Sequence, residues 1–274
     1  MAPVKHAKSV LKSVAAAGAL ALSLGLAAMP ASAGTWDELK PSVFGDRAIA
    51  DGQGIVSFTA PYRAEDDRRV PVSATAAFTD GRTVKGVSFI IDENPMPVAA
   101  AFKFQEGRDK VGLGIDVRLN GPSMVRVVVE ASDGRLYMAE SMVKTSGLGA
   151  CAAPPVGDAV SALQTLGNMQ VTGLPAKADS PFTRHARLKI QHPQHTGMQM
   201  NQITLLYIPA RYVAEVEVRE GAEPVFTVET GFAMSEDPRI DFDYKINGTD
   251  VLTVRMKDTD GAVFQKAFPR GVGG

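Results

Sequence analysis

The chain has 274 residues, 45% hydrophobic and 22% charged, with 26 Gly, 17 Pro and one Cys; these are the proportions of a globular protein and exclude wholesale disorder or a fibrous repeat. Its 29 basic and 30 acidic residues form no long run of either sign, which argues against nucleic acid as a partner, since phosphate backbones are met by a basic patch. One cysteine rules out an intramolecular disulfide framework, a Cys-X-X-Cys redox pair, a Cys-only zinc site and c-type haem attachment.

Residues 1–33 read as a secretory signal. Lys5, Lys8 and Lys12 give a positive start, Val14 to Ala28 is almost wholly apolar or small, and Ala31-Ser32-Ala33 has the form of a cleavage site. The apolar stretch is shorter than the roughly 20 residues of a membrane-spanning helix, so no membrane anchor is expected after cleavage. There is no Arg pair for twin-arginine export and no Cys at the cleavage point for lipidation. The expected location is the periplasm, reached by general secretion, with 26 bases against 30 acids in the mature chain.

The remainder is expected to be all-β, two immunoglobulin-like β-sandwich domains in tandem joined by a Cys-bearing linker. The sandwiches are placed at 34–145 and 181–274, with the arm and linker at 146–180. Val70, Val72, Ala74, Ala76 and Phe78 share one face, as do Leu113, Ile115, Val117 and Leu119, the period of two that marks half-buried strands. In the second half the pattern restarts at Leu188 and Ile190, then Tyr212, Ala214, Val216 and Val218, then Ile240, Phe242, Tyr244 and Ile246. Asp80-Gly81, Asn120-Gly121, Asp133-Gly134, Asn247-Gly248 and Asp260-Gly261 read as hairpin turns. Short helices are expected at Trp36 to Leu39 and at Asp158 to Leu166, the latter capped by Asp158 with Ala159, Leu163 and Leu166 facing the core.

Cys151 lies between the two halves, in Ser146-Gly147-Leu148-Gly149-Ala150-Cys151-Ala152-Ala153-Pro154-Pro155. Lone cysteines are commonly inert, buried hydrophobes. This one has no alternating apolar neighbours to bury it, and an odd Cys in a secreted protein marks a reactive thiol or an intermolecular link. No charged residue stands between Lys144 and Asp158, so the local sequence offers no cation to stabilise a thiolate. The composition suits a mobile tether, with Gly147, Gly149, Ala150 and Ala152 as its joints. Seven extended residues from Lys144 would carry the thiol roughly 25 Å.

These residues bring together two resemblances. Val87-Ser88-Phe89-Ile90-Ile91-Asp92-Glu93-Asn94-Pro95-Met96-Pro97, Ala101-Phe102-Lys103-Phe104, Asp133-Gly134-Arg135-Leu136-Tyr137 and the arm at Cys151 resemble SoxY, the sulfur-carrying subunit of the thiosulfate-oxidising Sox system. Ala186-Arg187-Leu188-Lys189-Ile190, His192-Pro193, Thr196-Gly197, Ile208-Pro209-Ala210 and Phe242-Asp243-Tyr244-Lys245 resemble its partner SoxZ. The order is similar to that of fused SoxYZ-like carriers associated with quinoprotein dehydrogenases in methylotrophic bacteria. The resemblance implies that Cys151 holds a sulfur intermediate covalently, with no other cofactor, and that the chain itself catalyses nothing. It implies periplasmic Sox-type or quinoprotein dehydrogenase-associated redox proteins as partners. Where the family arm ends the chain in Gly-Gly-Cys-Gly-Gly, Ala150 and Ala152 flank the cysteine here and the chain continues; methyl groups reduce backbone freedom, and anchoring at both ends shortens the reach.

A second reading is a copper-binding or quinoprotein dehydrogenase-associated accessory module. His192-Pro193-Gln194-His195-Thr196-Gly197-Met198-Gln199-Met200 packs two imidazoles and two thioethers into one loop, with His185 upstream, and such soft and borderline ligands suit copper. The alternative for His192, His195, Met198 and Met200 is a polar loop after a strand. Glu65-Asp66-Asp67-Arg68-Arg69 reads as a solvated loop, and Asp92, Glu93, Asp116 and Glu130 lie scattered among the strands and define no catalytic carboxylate pair. No phosphate loop, nucleophile elbow or His-Glu-X-X-His helix is present.

Overall fold

The computed structural model describes residues 34–147, 149–155, 159–174, 183–249 and 251–269. The signal assigned to 1–33 and the expected cap Asp158 lie outside them. The first half contributes α1 (Gly34–Phe44), β1 (Ile49–Asp51), β2 (Val56–Thr59), β3 (Val70–Ala77), β4 (Val84–Ile91), β5 (Val98–Arg108), β6 (Lys110–Val117), β7 (Ser123–Ala131) and β8 (Leu136–Val143). Within 146–180 lie α2 (Ala159–Gln164) and β9 (Met169–Leu174). The second half supplies β10 (Thr183–Ile190), β11 (Val213–Glu220), β12 (Glu223–Thr230), β13 (Arg239–Lys245), β14 (Val251–Asp258) and β15 (Val263–Pro269).

The chain is all-β in two layers, a nine-stranded sheet in the order β1-β8-β7-β4-β5-β12-β11-β14-β15 and a six-stranded sheet in the order β2-β3-β6-β13-β10-β9. Alternation along the sequence maps directly onto burial: Val70, Val72, Ala74 and Ala76 of β3, Leu113, Ile115 and Val117 of β6, and Ile240, Phe242 and Tyr244 of β13 all point into the space between the layers. The face expected for Tyr212, Ala214, Val216 and Val218 is only partly realised. A register shift between Val213 and Glu215 turns Val213 inward beside Val216 and Val218 and leaves Ala214 half-buried, because a bulge adds one residue and flips the faces on either side of it.

Both sheets run through from one half to the other. Thr227 to Thr230 of β12 pair antiparallel with Ala100 to Lys103 of β5, and Ile240 to Phe242 of β13 pair with Leu113 to Ile115 of β6. The two sandwiches therefore meet edge to edge. Beneath this seam a chain of rings crosses the boundary, Phe89 to Phe102 at 6.1 Å, Phe102 to Phe226 at 5.3 Å and Phe226 to Phe242 at 5.1 Å between centroids, all tilted edge to face. On the outer side of the six-stranded sheet Gly112 has no side chain for a reason: a Cβ there would collide with the carboxylate of Asp243, which is paired with His185.

The Asn-Gly and Asp-Gly turns divide into two kinds. Asp133-Gly134 and Asp260-Gly261 close true hairpins, β7 to β8 and β14 to β15. Asp80-Gly81, Asn120-Gly121 and Asn247-Gly248 instead carry the chain from one sheet to the other; Gly81 and Gly248 take the positive φ expected of such turns, whereas Gly121 does not. Helix α1 is longer than expected and packs Trp36 and Phe44 on Ile90, Val128 and Leu136 of the nine-stranded sheet. In α2, Leu163 is 59% exposed rather than in the core, since one short turn of helix lies outside the two layers.

Removal of either ring at the seam, Phe102→Ala or Phe226→Ala, is expected to cost about 3–5 kcal/mol of stability by cavity formation. A double-mutant cycle in urea should return about 0.5–1.5 kcal/mol of coupling between them; additive losses would mean the two halves are energetically separate.

Candidate functional site

The loop around Cys151 begins where β8 ends. Asp67 accepts hydrogen bonds from the backbone N–H of Ser146 and Gly147, at 3.2 and 2.9 Å, so the charged Glu65 to Arg69 stretch is an anchor for the loop as well as a solvated surface. Gly149 has φ +81°, a left-handed conformation that favours glycine, and its N–H donates to the Asn120 carbonyl at 2.7 Å. The N–H groups of Ala152 and Ala153 both donate back to the Gly149 carbonyl, at 2.8 and 3.0 Å. The result is a tight turn with Cys151 at its apex.

The second half of the chain holds the other side of that turn. Thr196 Oγ1 donates to the Cys151 carbonyl at 2.7 Å, and Gln199 Nε2 donates to the Ala153 carbonyl at 3.0 Å. The expected mobile tether is thus docked in this structure: Cys151 is 0% exposed and Ala150 is buried beside it. Gly147, Gly149, Ala150 and Ala152, expected as free joints, are each engaged in or buried by the turn. The burying groups come from elsewhere in the chain, which is why the absence of apolar neighbours in the local sequence misled.

Burial pushes the Cys151 thiol up to about 11, and the Arg118 guanidinium pulls in the opposite direction with less effect. Arg118 stands between β6 and β7, 4% exposed, with its Nε buried and without a hydrogen-bond partner among the described residues. Burial also holds its own pKa below the usual arginine value. A cation does therefore face the thiol, although the sequence around Cys151 contains none. Ala150, Ala153 and Pro154 on the arm side, with Arg118 and Gln199 opposite, line a cavity of about 220 Å³. A larger cleft of about 510 Å³ is lined by Arg69, Asp116, Arg187, Lys189 and Arg239 among others and by no residue of the Cys151 turn; its arginines are paired with Asp116 and Asp241.

The His192 to Met200 loop serves as the clamp. His192 is buried, its Nδ1 accepts the Gln194 N–H at 3.1 Å, and its Nε2 faces the Asp258 carboxylate at 3.7 Å. With Nδ1 accepting, the ring proton sits on Nε2, and neither nitrogen offers a lone pair to a metal. His195 Nδ1 is bonded to Gln199 Oε1 at 3.1 Å, and His185 is paired with Asp243. Met198 and Met200 are half-buried in the same loop. Among the described residues no group of three or more His, Cys, Asp or Glu side chains is placed to hold a metal ion; a set that includes the thioethers of Met198 and Met200 is a different combination of ligands. The carboxylates scattered among the strands are partly structural: Asp92 forms a buried pair with Arg126 at 2.7 Å, and the buried Asp116 pairs with Arg239 at 2.9 Å. The groups that matter most around the thiol, Arg118, Thr196 and Gln199, carry no local pattern; Thr196 alone was flagged, through the SoxZ-like Thr196-Gly197.

The chain is thus a two-layer β-sandwich that presents one thiol on a docked loop. Residues 40–151 match the family described as Sulfur oxidation protein SoxY, and residues 174–269 match Sulphur oxidation protein SoxZ. The chain belongs to these families, as a SoxY domain and a SoxZ domain fused in one polypeptide. Their members are sulfur carriers, not enzymes, and SoxY carries sulfur on a cysteine. Among solved structures the chain is similar to the sulfur carrier protein SoxY from Chlorobium limicola f thiosulfatophilum, at 26% identity over 41% of this chain and 97% of that one, with a TM-score of 0.36. A superoxide reductase (neelaredoxin) from Ignicoccus hospitalis is also similar, at 12% identity over 34% of this chain and 80% of that one, with a TM-score of 0.28. No curated protein matches the chain.

Burial holds the neutral form of His192, with a pKa near 4 against an ordinary 6.5. A depressed histidine pKa means that the unfolded chain takes up the proton first, so stability is full above about pH 6.5 and falls as pH drops toward 4. The loss attributable to His192 is on the order of 3 kcal/mol across that window, to be read from urea midpoints and absent in His192→Gln. In a separate test, Thr196→Val with Gln199→Met should speed iodoacetamide alkylation of Cys151 about tenfold, as expected from two lost hydrogen bonds.

Proposed function

We propose that this protein is a periplasmic sulfur carrier that holds sulfur intermediates on Cys151 and presents them to partner enzymes by undocking the loop. The observation that supports this most is the position of the only cysteine: the SoxY match ends on it, and the docked loop places it against the SoxZ half. The chemistry suits a thiol. Sulfur attacks sulfur readily, and an S–S bond to the cargo is cleaved without touching a C–S bond. The docked state keeps the thiol protonated and inert, and release into water restores an ordinary thiol pKa near 8.5, so reactivity is coupled to undocking.

Export through residues 1–33 supplies the compartment, and periplasmic Sox-type or quinoprotein dehydrogenase-associated redox proteins are the proposed partners. The loop differs from a free arm in being anchored on both sides, by Asp67 before it and by Gln199 after it. Partners must accept an opened loop.

The test is the intact mass of the protein isolated from its native host under non-reducing conditions. A reducible increment of one or more sulfur atoms or of a thiosulfonate on Cys151, missing in Cys151→Ser, is the expected result. An unmodified wild-type mass during growth on reduced sulfur, or a Cys151→Ser strain that grows like wild type on the same substrate, would overturn the proposal.

A further inference from the structure

The cavity against the Cys151 turn, lined by its neighbours Ala150 and Ala153, contains a cation with unmet demands. Arg118 is 4% exposed, and its Nε is buried with no partner among the described residues. The other charges lining the cavity are engaged: Arg68 is paired with Asp66 at 2.9 Å, Arg69 with Asp116 at 3.2 Å, and Asp237 accepts the His192 N–H at 2.9 Å. Glu236 also lines the cavity and acts on Arg118 through space, as does the Cys151 sulfur when ionised. A guanidinium this deeply buried, with no ion pair to it among the described residues, is unfavourable unless a ligand completes it. Its forked donors match tetrahedral oxyanions, and about 220 Å³ accommodates such a group where one water needs about 30 Å³.

We propose that this cavity is an oxyanion pocket in which Arg118 receives the negatively charged end of the group carried on Cys151, so that the docked loop discriminates anionic, oxidised cargo from neutral cargo. Arg118 is a recognition residue in this role. The thiol needs no other cation of the chain, and a neutral adduct leaves the guanidinium as it is in the unloaded protein. The inference rests on the carrier reading of Cys151.

Two reagents separate charge from size. Tetrathionate is attacked at a central sulfur by the Cys151 thiolate; its S–S bond breaks, thiosulfate leaves with the electron pair, and the protein carries Cys-S-S-SO₃⁻. Methyl methanethiosulfonate reacts in the same way, losing methanesulfinate and leaving the neutral Cys-S-S-CH₃; in both cases the thiol proton goes to solvent. Each adduct, once formed, is cleaved on the native protein with dithiothreitol and followed by intact mass; docking of the loaded loop shields the disulfide, so the protection of the anionic adduct over the neutral one, each relative to unfolded protein, reads the closed pocket. Arg118→Met is expected to lower this anionic-to-neutral protection ratio about tenfold, the worth of one charge-assisted hydrogen bond, while Arg118→Lys retains most of it. In the wild type the anionic adduct should raise the melting temperature relative to the neutral adduct, a comparison that needs no variant. An unchanged ratio in Arg118→Met, or equal melting temperatures for the two wild-type adducts, would overturn the pocket and leave the carrier standing. A wild-type protein that takes up neither reagent until denatured would overturn the carrier reading, and the pocket with it.

Discussion

Strands β5 and β6 are the constraint on which the rest of the molecule depends. In a free-standing first half they would each present a row of unpaired N–H and C=O groups, an edge that invites association. Here β12 and β13 occupy those edges, and the interior rings of Phe102, Phe226 and Phe242 fill the space behind them. Hydrogen bonds set the register across the boundary and apolar burial supplies the driving force. The position of everything beyond the seam, including the clamp of Thr196 and Gln199, follows from that register.

The thiol illustrates how such a frame controls reactivity. Cys151 has no chemistry built around it in the sense of a nucleophile and its base. It has a turn fixed by Gly149, a carbonyl held by Thr196, and low-polarity surroundings that keep the proton on sulfur. Each holding contact is a hydrogen bond of modest net value, and together they close the loop while leaving it able to open. Arg118 complicates the closed state, because its desolvation weakens docking of an empty loop and is relieved by an anion.

The faces of individual strands were legible from period-two alternation, and β3, β6 and β13 bury the residues that the pattern indicates. The resemblance to SoxY and SoxZ was legible from matched segments on both sides of Cys151. What the sequence did not disclose is pairing between elements far apart along it. Asp80-Gly81 and Asn247-Gly248 have the chemistry of hairpin turns, yet a turn residue specifies only its own φ and ψ, not which sheet receives the next strand. The bulge at Val213 to Glu215 was hidden for a similar reason, since an inserted residue reads as continued alternation. Around the site, Cys151 looked exposed because its own neighbours are small, whereas its cover comes from residues 118 and 196 to 199. The paired imidazoles and thioethers of the following loop have the look of ligands; the Nδ1 atoms of His192 and His195 are instead bonded to Gln194 and Gln199.

The edge-to-edge seam also imposes an order on biogenesis. A chain made from its N-terminus completes β5 and β6 more than 100 residues before β12 and β13 are both available, and domains generally begin to fold as they emerge. During that interval the first half is a sandwich with two open edges. Glu106, Arg108, Asp109 and Lys110, clustered where β5 turns into β6, put charge of both signs at the end of those edges, the usual protection against capture by a neighbouring molecule. Fusion into one polypeptide then supplies the rightful occupant at high effective concentration, in a one-to-one ratio that separately made chains would have to find by diffusion.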